Sequence, residues 1–139
     1  MCDRKARWAI WSLGNIANRV IVEMKEADDY EIAAICSSNL EKASEFIKNN
    51  NLTQAKAYDN IQNVLKRDDV DIVYIASPPW LHVEQCCQVM NAGKGVLCEK
   101  PMTLNYRDAV QIAECARKNK VFCAEGIWSN YFPAVKKLK

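Results

Sequence analysis

The segment Trp8-Ala9-Ile10-Trp11-Ser12-Leu13-Gly14-Asn15-Ile16-Ala17 decides the fold. It begins as an unbroken apolar run and passes through a short turn holding one glycine. A helical rhythm then starts, with Ile16, Ala17, Val20, Ile21 and Met24 on one face. An apolar run without polar alternation suits a strand buried on both faces, as in a parallel sheet.

The same texture recurs along the chain. Further apolar runs are Ile32-Ala33-Ala34-Ile35-Cys36, Ile72-Val73-Tyr74-Ile75-Ala76, Val96-Leu97-Cys98 and Val121-Phe122-Cys123-Ala124, with a weaker one, Ala55-Lys56-Ala57-Tyr58, suited to a sheet edge. Between them lie amphipathic stretches: Val83, Cys86, Cys87 and Met90, then Ala109, Ile112, Ala113 and Ala116. Asn105 with Asp108 reads as a helix start, Gly93 as a position just past a helix end, and the stretch from Tyr131 to Lys139 as the start of another helix. The pattern is β-α-β-α-β-α-β-α-β-α-β. Because crossovers are right-handed, it predicts an α/β, doubly wound Rossmann-type domain with a mostly parallel six-stranded sheet in the order 3-2-1-4-5-6.

Composition agrees with one folded unit. The 139 residues are 50% hydrophobic and 26% charged, with a net charge of +2. That excludes a disordered chain and argues against nucleic acid as the main partner. Only 4 Gly and 4 Pro exclude a low-complexity chain. No apolar stretch approaches the roughly 18 residues of a membrane helix, and the start is not of signal-peptide type. Seven cysteines with no C-x-x-C spacing, and a single histidine, His82, make a metal site improbable. The cysteines read as reduced thiols of a cytoplasmic protein. Vicinal Cys86 and Cys87 could form a redox pair, but on a helix they would point to different faces.

In open α/β sheets, ligands bind where strands end, so the residues after each run are the candidates. Set against the fingerprint G-x-G-x-x-G/A, the first turn carries Ser12, Gly14 and Ala17. Gly14 would let backbone approach a pyrophosphate at a helix N-terminus, or simply serve the turn. Ser37, Ser38 and Asn39 follow the second run, where an acidic residue would hold a ribose 2′-hydroxyl. Their hydroxyls and amide, with Lys42 a turn on, suit a 2′-phosphate and lean towards NADP over NAD; alternatively Asn39 caps the next helix. After the fourth run come Ser77, Pro78, Pro79 and His82, the histidine either a hydrogen-bonded scaffold or a functional group. After the fifth come Glu99, Lys100 and Pro101. A lysine there can give or take a proton or stabilise an alkoxide; on position alone the two charges also suit a surface ion pair. After the sixth, the aromatic side chains around Trp128 could wall a pocket or pack against a second domain.

Glu99-Lys100-Pro101 at a strand end, with the glycine turn and the segment Glu125 to Pro133 at matching spacing, resembles the Gfo/Idh/MocA oxidoreductases. Within that family the run from Val96 to Pro101 is most similar to the dimeric dihydrodiol dehydrogenase branch, which also oxidises D-xylose with NADP. The resemblance covers Arg7 to Lys139. It implies that Ser12, Leu13, Gly14, Asn15 and Ile16 line the pyrophosphate turn and that Ser37 and Ser38 sit by the adenosine ribose. It implies that Ser77, Pro78 and His82 border the cofactor channel. Glu99 and Lys100 would face the nicotinamide ribose and substrate, with Lys100 catalytic, a Lys100–Pro101 bond that is often cis, and Trp128 flanking the nicotinamide.

The resemblance is not complete. Related enzymes tend to carry Arg where Ser38 and Asn130 stand, and a polar residue where Pro79 stands. They also continue into a C-terminal substrate domain that is missing here. The expectation is therefore one dinucleotide-binding domain over 1–139, with 126–139 starting the connection to that second domain. Its function would be NAD(P)-dependent oxidation of a polyol, sugar or dihydrodiol hydroxyl by a full-length form that is a homodimer. The alternative is a stand-alone dinucleotide-binding or interaction module without catalysis.

Overall fold

Strand β1 (Ala6–Trp11) lies at the centre of the molecule because its residues have a packing partner on each side. Ile10 faces one apolar cluster with Ala17, Ile21, Ile35 and Phe46, while Ala9 faces another with Val73, Val89 and Val96. Period-2 alternation along a strand sends neighbours to opposite faces, so an unbroken apolar run is buried twice over. Each fully buried Ile or Val contributes about 1.5–3 kcal/mol of transfer free energy. The computed structural model describes residues 4–27 and 29–138. Cys2, Lys139 and the side chain of Asn130, all read from the sequence above, lie outside the described residues.

The elements follow in order: α1 (Asn15–Met24), β2 (Tyr30–Cys36), α2 (Leu40–Asn49), β3 (Lys56–Tyr58), α3 (Ile61–Leu65) and β4 (Ile72–Ile75). A 3₁₀ turn, Pro79–Leu81, leads into α4 (His82–Asn91), then β5 (Gly95–Cys98), α5 (Tyr106–Asn119) and β6 (Cys123–Glu125). A second 3₁₀ turn, Trp128–Tyr131, precedes α6 (Pro133–Leu138). The sheet has six strands in the order β3-β2-β1-β4-β5-β6, and every pairing is parallel. Helices α1 and α2 cover one face; α3, α4 and α5 cover the other.

Local chemistry sets the boundaries. Asn39 and Asn105 each accept the backbone N–H three residues on, at 3.0 Å, and so cap α2 and α5. Gly93 takes φ +74° just beyond α4, which costs glycine nothing. The last strand starts later than its apolar run, because α5 ends on left-handed Lys120 and the N–H of Val121 turns back to Ala116 O. The β1–β2 register slips between Trp8 and Ala9, leaving Ala33 as an extra residue in β2. Arg67 Nη1 donates to the Ala33 carbonyl at 2.9 Å. The cysteines 36, 86, 87, 98, 115 and 123 are free thiols. Burial pushes Cys123 up to about 11, and burial followed by a bond to Cys115 does the same for Cys87. At neutral pH both are protonated and poorly nucleophilic.

Candidate functional site

Parallel pairing puts every strand's C-terminal end at one edge of the sheet, and all the sequence-predicted site residues follow those ends. Between β1 and β4 the chain order reverses, leaving a crevice there. From β2 to β5 is three strand spacings, about 14 Å.

The β1–α1 turn is built on Ser12, whose φ of +77° reverses the chain and whose N–H donates to Cys36 O at 2.9 Å. The first-glycine position is thus held in a glycine-like conformation by a serine. Gly14 is extended (φ −82°, ψ −177°) and stands at the start of α1. It has no positive φ, so the turn does not demand glycine there. A Cβ at Gly14 would meet nothing nearer than Ala76 O at 3.9 Å. Its absence therefore leaves open space over the helix end. The first turn of α1 has no side-chain cap and no acidic residue. Its orphan N–H groups and positive dipole end face that space, which suits an anion. Gly14 and Asn15 are exposed; Leu13 and Ile16 are half-buried.

Ser37 is buried and Ser38 exposed. Ser37 N–H donates to Tyr58 O at 3.0 Å, which draws the end of β3 alongside. Trp11, Ser37, Ser38, Asp59, Asn60 and Ile61 line an open cavity of about 520 Å³ at this corner. Asn39 spends its side-chain oxygen on the α2 cap.

Across the crevice, His82 is fully buried. Its Nε2 lies 2.8 Å from Ser77 O, and its Nδ1 lies 3.0 and 3.2 Å from Pro101 O and Met102 O. The ring ties the end of β4 to the loop after β5 and keeps no nitrogen free for a ligand. It supports the crevice from below. Ser77 Oγ donates to Gln85 Oε1, while Pro78 is exposed at the rim.

Glu99 is held by both oxygens: Tyr74 Oη donates to Oε1 at 2.6 Å and Lys100 N–H to Oε2 at 3.1 Å. Burial, and then the Glu99 carboxylate, hold the Tyr74 phenol well above its ordinary range, so it remains a donor. Lys100 is exposed and the Lys100–Pro101 bond is cis. Met102 N–H donates to Glu125 Oε1 at 2.7 Å, which anchors the far side of the loop. Gly126 has Cys98 O and Glu99 Oε1 each 3.4 Å from where its Cβ would lie, so β6 closes tightly on the Glu99 loop. Trp128 is 71% exposed and meets Phe132 edge-to-face at 5.3 Å.

Sequence reasoning missed Tyr74, Glu125 and Asp59. A hydroxyl within the otherwise aliphatic run of β4 was the available signal for Tyr74, because a buried phenol needs a partner. Among the described residues no group of three or more His, Cys, Asp or Glu could hold a metal ion, and no helix is long and apolar enough to cross a membrane.

A parallel sheet in this order, with an open helix N-terminus at its switch point, defines a doubly wound dinucleotide-binding domain. The family model described as "Oxidoreductase family, NAD-binding Rossmann fold" matches residues 6–127, and the chain belongs to this family, Gfo/Idh/MocA. It is an NAD(P)-binding domain of the oxidoreductase class. It is 33% identical over 135 residues to trans-1,2-dihydrobenzene-1,2-diol dehydrogenase of Xenopus tropicalis, covering 96% of this chain and 40% of that protein. It is 34% identical over 143 residues to D-xylose 1-dehydrogenase (NADP(+)) of Hypocrea jecorina, covering 96% and 37%. The solved structure of the WlbA dehydrogenase from Chromobacterium violaceum, in complex with NADH and UDP-GlcNAcA, superposes with a TM-score of 0.86 at 26% identity, over 100% of this chain and 40% of that one. The chain thus spans about two fifths of the length of these relatives.

Proposed function

We propose that this chain is the cofactor-binding half, over 1–139, of a dehydrogenase that oxidises a secondary alcohol of a sugar, polyol or dihydrodiol. The observation that carries the reading is the meeting, at one sheet edge, of an uncapped α1 N-terminus and a buttressed Glu99-Lys100 loop. When bound, the nicotinamide supplies the hydride acceptor. The residues of this chain do the rest. Backbone N–H groups at Gly14, Asn15 and Ile16 hold the pyrophosphate, with Ser12 and Leu13 shaping the turn. Ser37 and Ser38 sit by the adenosine ribose, and Ser77, Pro78 and Trp128 border the nicotinamide end, with His82 beneath. Glu99, fixed by Tyr74, sets the loop that presents Lys100. As the neutral amine, Lys100 accepts the hydroxyl proton at Nζ while hydride leaves the carbon, and the ammonium so formed stabilises negative charge remaining on the substrate oxygen. Residues 126–139 lead towards the substrate-binding half, which would also carry the homodimer contact. The free thiols support a reducing, cytoplasmic setting.

Gly14→Val tests the binding step. Gly14 is exposed and a Cβ there meets nothing nearer than Ala76 O at 3.9 Å, so the fold is expected to survive while the pyrophosphate loses its approach. NADH or NADPH binding, read by nicotinamide fluorescence, falls about 100-fold or more, a differential of about 2.7 kcal/mol, with the circular dichroism spectrum unchanged. Equal affinity in the variant would refute the site. In a full-length form, Lys100→Met lowers kcat about 10²-fold or more with little change in cofactor affinity; turnover at the parental rate would remove Lys100 from the chemistry.

A further inference from the structure

Family membership leaves the cofactor class open, because relatives are named for NADP(+) while solved neighbours hold NADP in some cases and NADH in others. We propose that Asp59 makes this site select the 2′-hydroxyl cofactor, NAD(H), over the 2′-phosphate cofactor, NADP(H). The inference rests on the proposed placement of the adenosine ribose beside Ser37 and Ser38.

Selection of this kind ordinarily comes from an acidic residue at the end of the second strand, and none stands there. The fold supplies one from the third strand instead. Pairing of Ala34, Ile35 and Cys36 with Lys56, Ala57 and Tyr58, followed by the Ser37 N–H bond to Tyr58 O, brings the residue after Tyr58 level with the residues after Cys36. Asp59 accordingly lines the same cavity as Ser37 and Ser38. Its charge is felt at the strand end: after burial, the Asp59 carboxylate is the second cause that pushes the Cys36 thiol up to about 12.

A 2′-phosphate carries close to two negative charges and is usually met by Arg or Lys. The residues lining this cavity include no cation and one carboxylate. The neutral amides bring no charge, and with their oxygens used as caps they offer only uncharged Nδ2 donors. Asn39 Oδ1 accepts from Lys42 N at 3.0 Å and Asn60 Oδ1 from Gln62 N at 2.9 Å, each capping a helix. Two serine hydroxyls are too little to offset a dianion facing Asp59. A ribose 2′-hydroxyl is the reverse case: it donates a proton that a carboxylate accepts in a charge-assisted bond.

The test titrates the 139-residue chain separately with NADH and NADPH, following nicotinamide fluorescence. NADH binds at least about tenfold more tightly, equivalent to about 1.4 kcal/mol. Asp59→Asn, an exposed and nearly isosteric change, closes most of that gap by tightening NADPH and weakening NADH. Adding Ser38→Arg inverts the preference. NADPH binding as tight as NADH in the parent, or an unchanged ratio in Asp59→Asn, overturns the proposal while leaving the dinucleotide site standing. Binding of neither cofactor at millimolar concentration overturns both.

Discussion

The two edges of this sheet are held together by different means. At the N-terminal edge the charges are paired: Arg4 with Asp71, Arg7 with Glu31 and Asp69, and Arg67 with Asp69 at 2.6 Å. At the C-terminal edge the bonds mostly join side chains to the backbone of neighbouring loops. The His82 ring stands between three carbonyls, within 3.2 Å of each, and donates from the nitrogen that carries its proton; Tyr74 donates to Glu99, and Glu125 accepts from the N–H of Met102. Lys100 enters none of the ion pairs just named, and the start of α1 has no cap, whereas α2 and α5 are capped. The difference teaches where each edge can spend its polar groups. An edge that only has to fold can satisfy them on one another. An edge proposed to bind keeps charge and N–H donors free for the ligand, and so takes its rigidity from partly buried bonds between side chains and backbone.

The largest expected effect is at the binding edge. His82→Ala removes the ring from between the buried Ser77 carbonyl and the partly buried Pro101 and Met102 carbonyls, taking away its N–H donor and opening a cavity. Leaving buried acceptors unsatisfied costs about 1–3 kcal/mol each, partly relieved where water enters, so a loss of about 3 kcal/mol is expected in urea unfolding. A loss below about 0.5 kcal/mol would mean that this edge is not held from beneath. Next is the opposite edge. Arg67→Ala removes a bidentate pair with Asp69, the bond to Ala33 O, and contacts to the Tyr58 hydroxyl and ring. About 2 kcal/mol should go, with NADH affinity unchanged. If affinity falls with stability, the two edges are not independent.

Acid should separate them further. The Arg67 bond, against some desolvation, holds the Asp69 carboxyl at about 2, below its ordinary 3.8. A depressed carboxyl stabilises the fold above its unfolded value, and that contribution is lost as pH falls from about 4 through about 2. Asp69 is 41% exposed, so solvent screening limits the benefit to about 1 kcal/mol. The stability difference between the parent and Asp69→Asn should therefore be constant from neutral pH down to about 5 and shrink towards zero near pH 2. A constant difference across that range would show that the charge of Asp69 contributes nothing.

Much of this architecture was legible in the sequence, because its cues are local. Continuous apolar runs identified the strands, and Asn105 with Asp108 marked a helix start. The alternation of runs and helices indicated a doubly wound domain, for which 3-2-1-4-5-6 is the usual sheet order, and the sheet has it. What escaped depends on pairing between distant segments. Asp59 follows a three-residue strand, and nothing in its neighbours says that it lies beside Ser38; only the β2–β3 register does. The bulge at Ala33 and its bond from Arg67 are likewise invisible until β1 and β2 are laid side by side. His82 was legible only as a pair of alternatives, because its sequence position cannot show that the carbonyls of Pro101 and Met102 close over the ring.

The smallest expected effect tests what Ser12 is for. Its φ of +77° strains a residue with a Cβ by about 1–2 kcal/mol. Ser12→Gly removes that strain but gives the unfolded chain more freedom, which costs about 0.4–1 kcal/mol. The two terms nearly cancel, with strain the larger, so a gain of about 0.5 kcal/mol is expected. The backbone bond from Ser12 N–H to Cys36 O survives the change. If Ser12 serves the pyrophosphate turn through its backbone shape, NADH affinity stays within about twofold, because the N–H donors at the start of α1 are untouched. If affinity instead drops tenfold while stability rises, the hydroxyl itself binds the ligand, and the open edge uses a side chain where its geometry points to backbone alone.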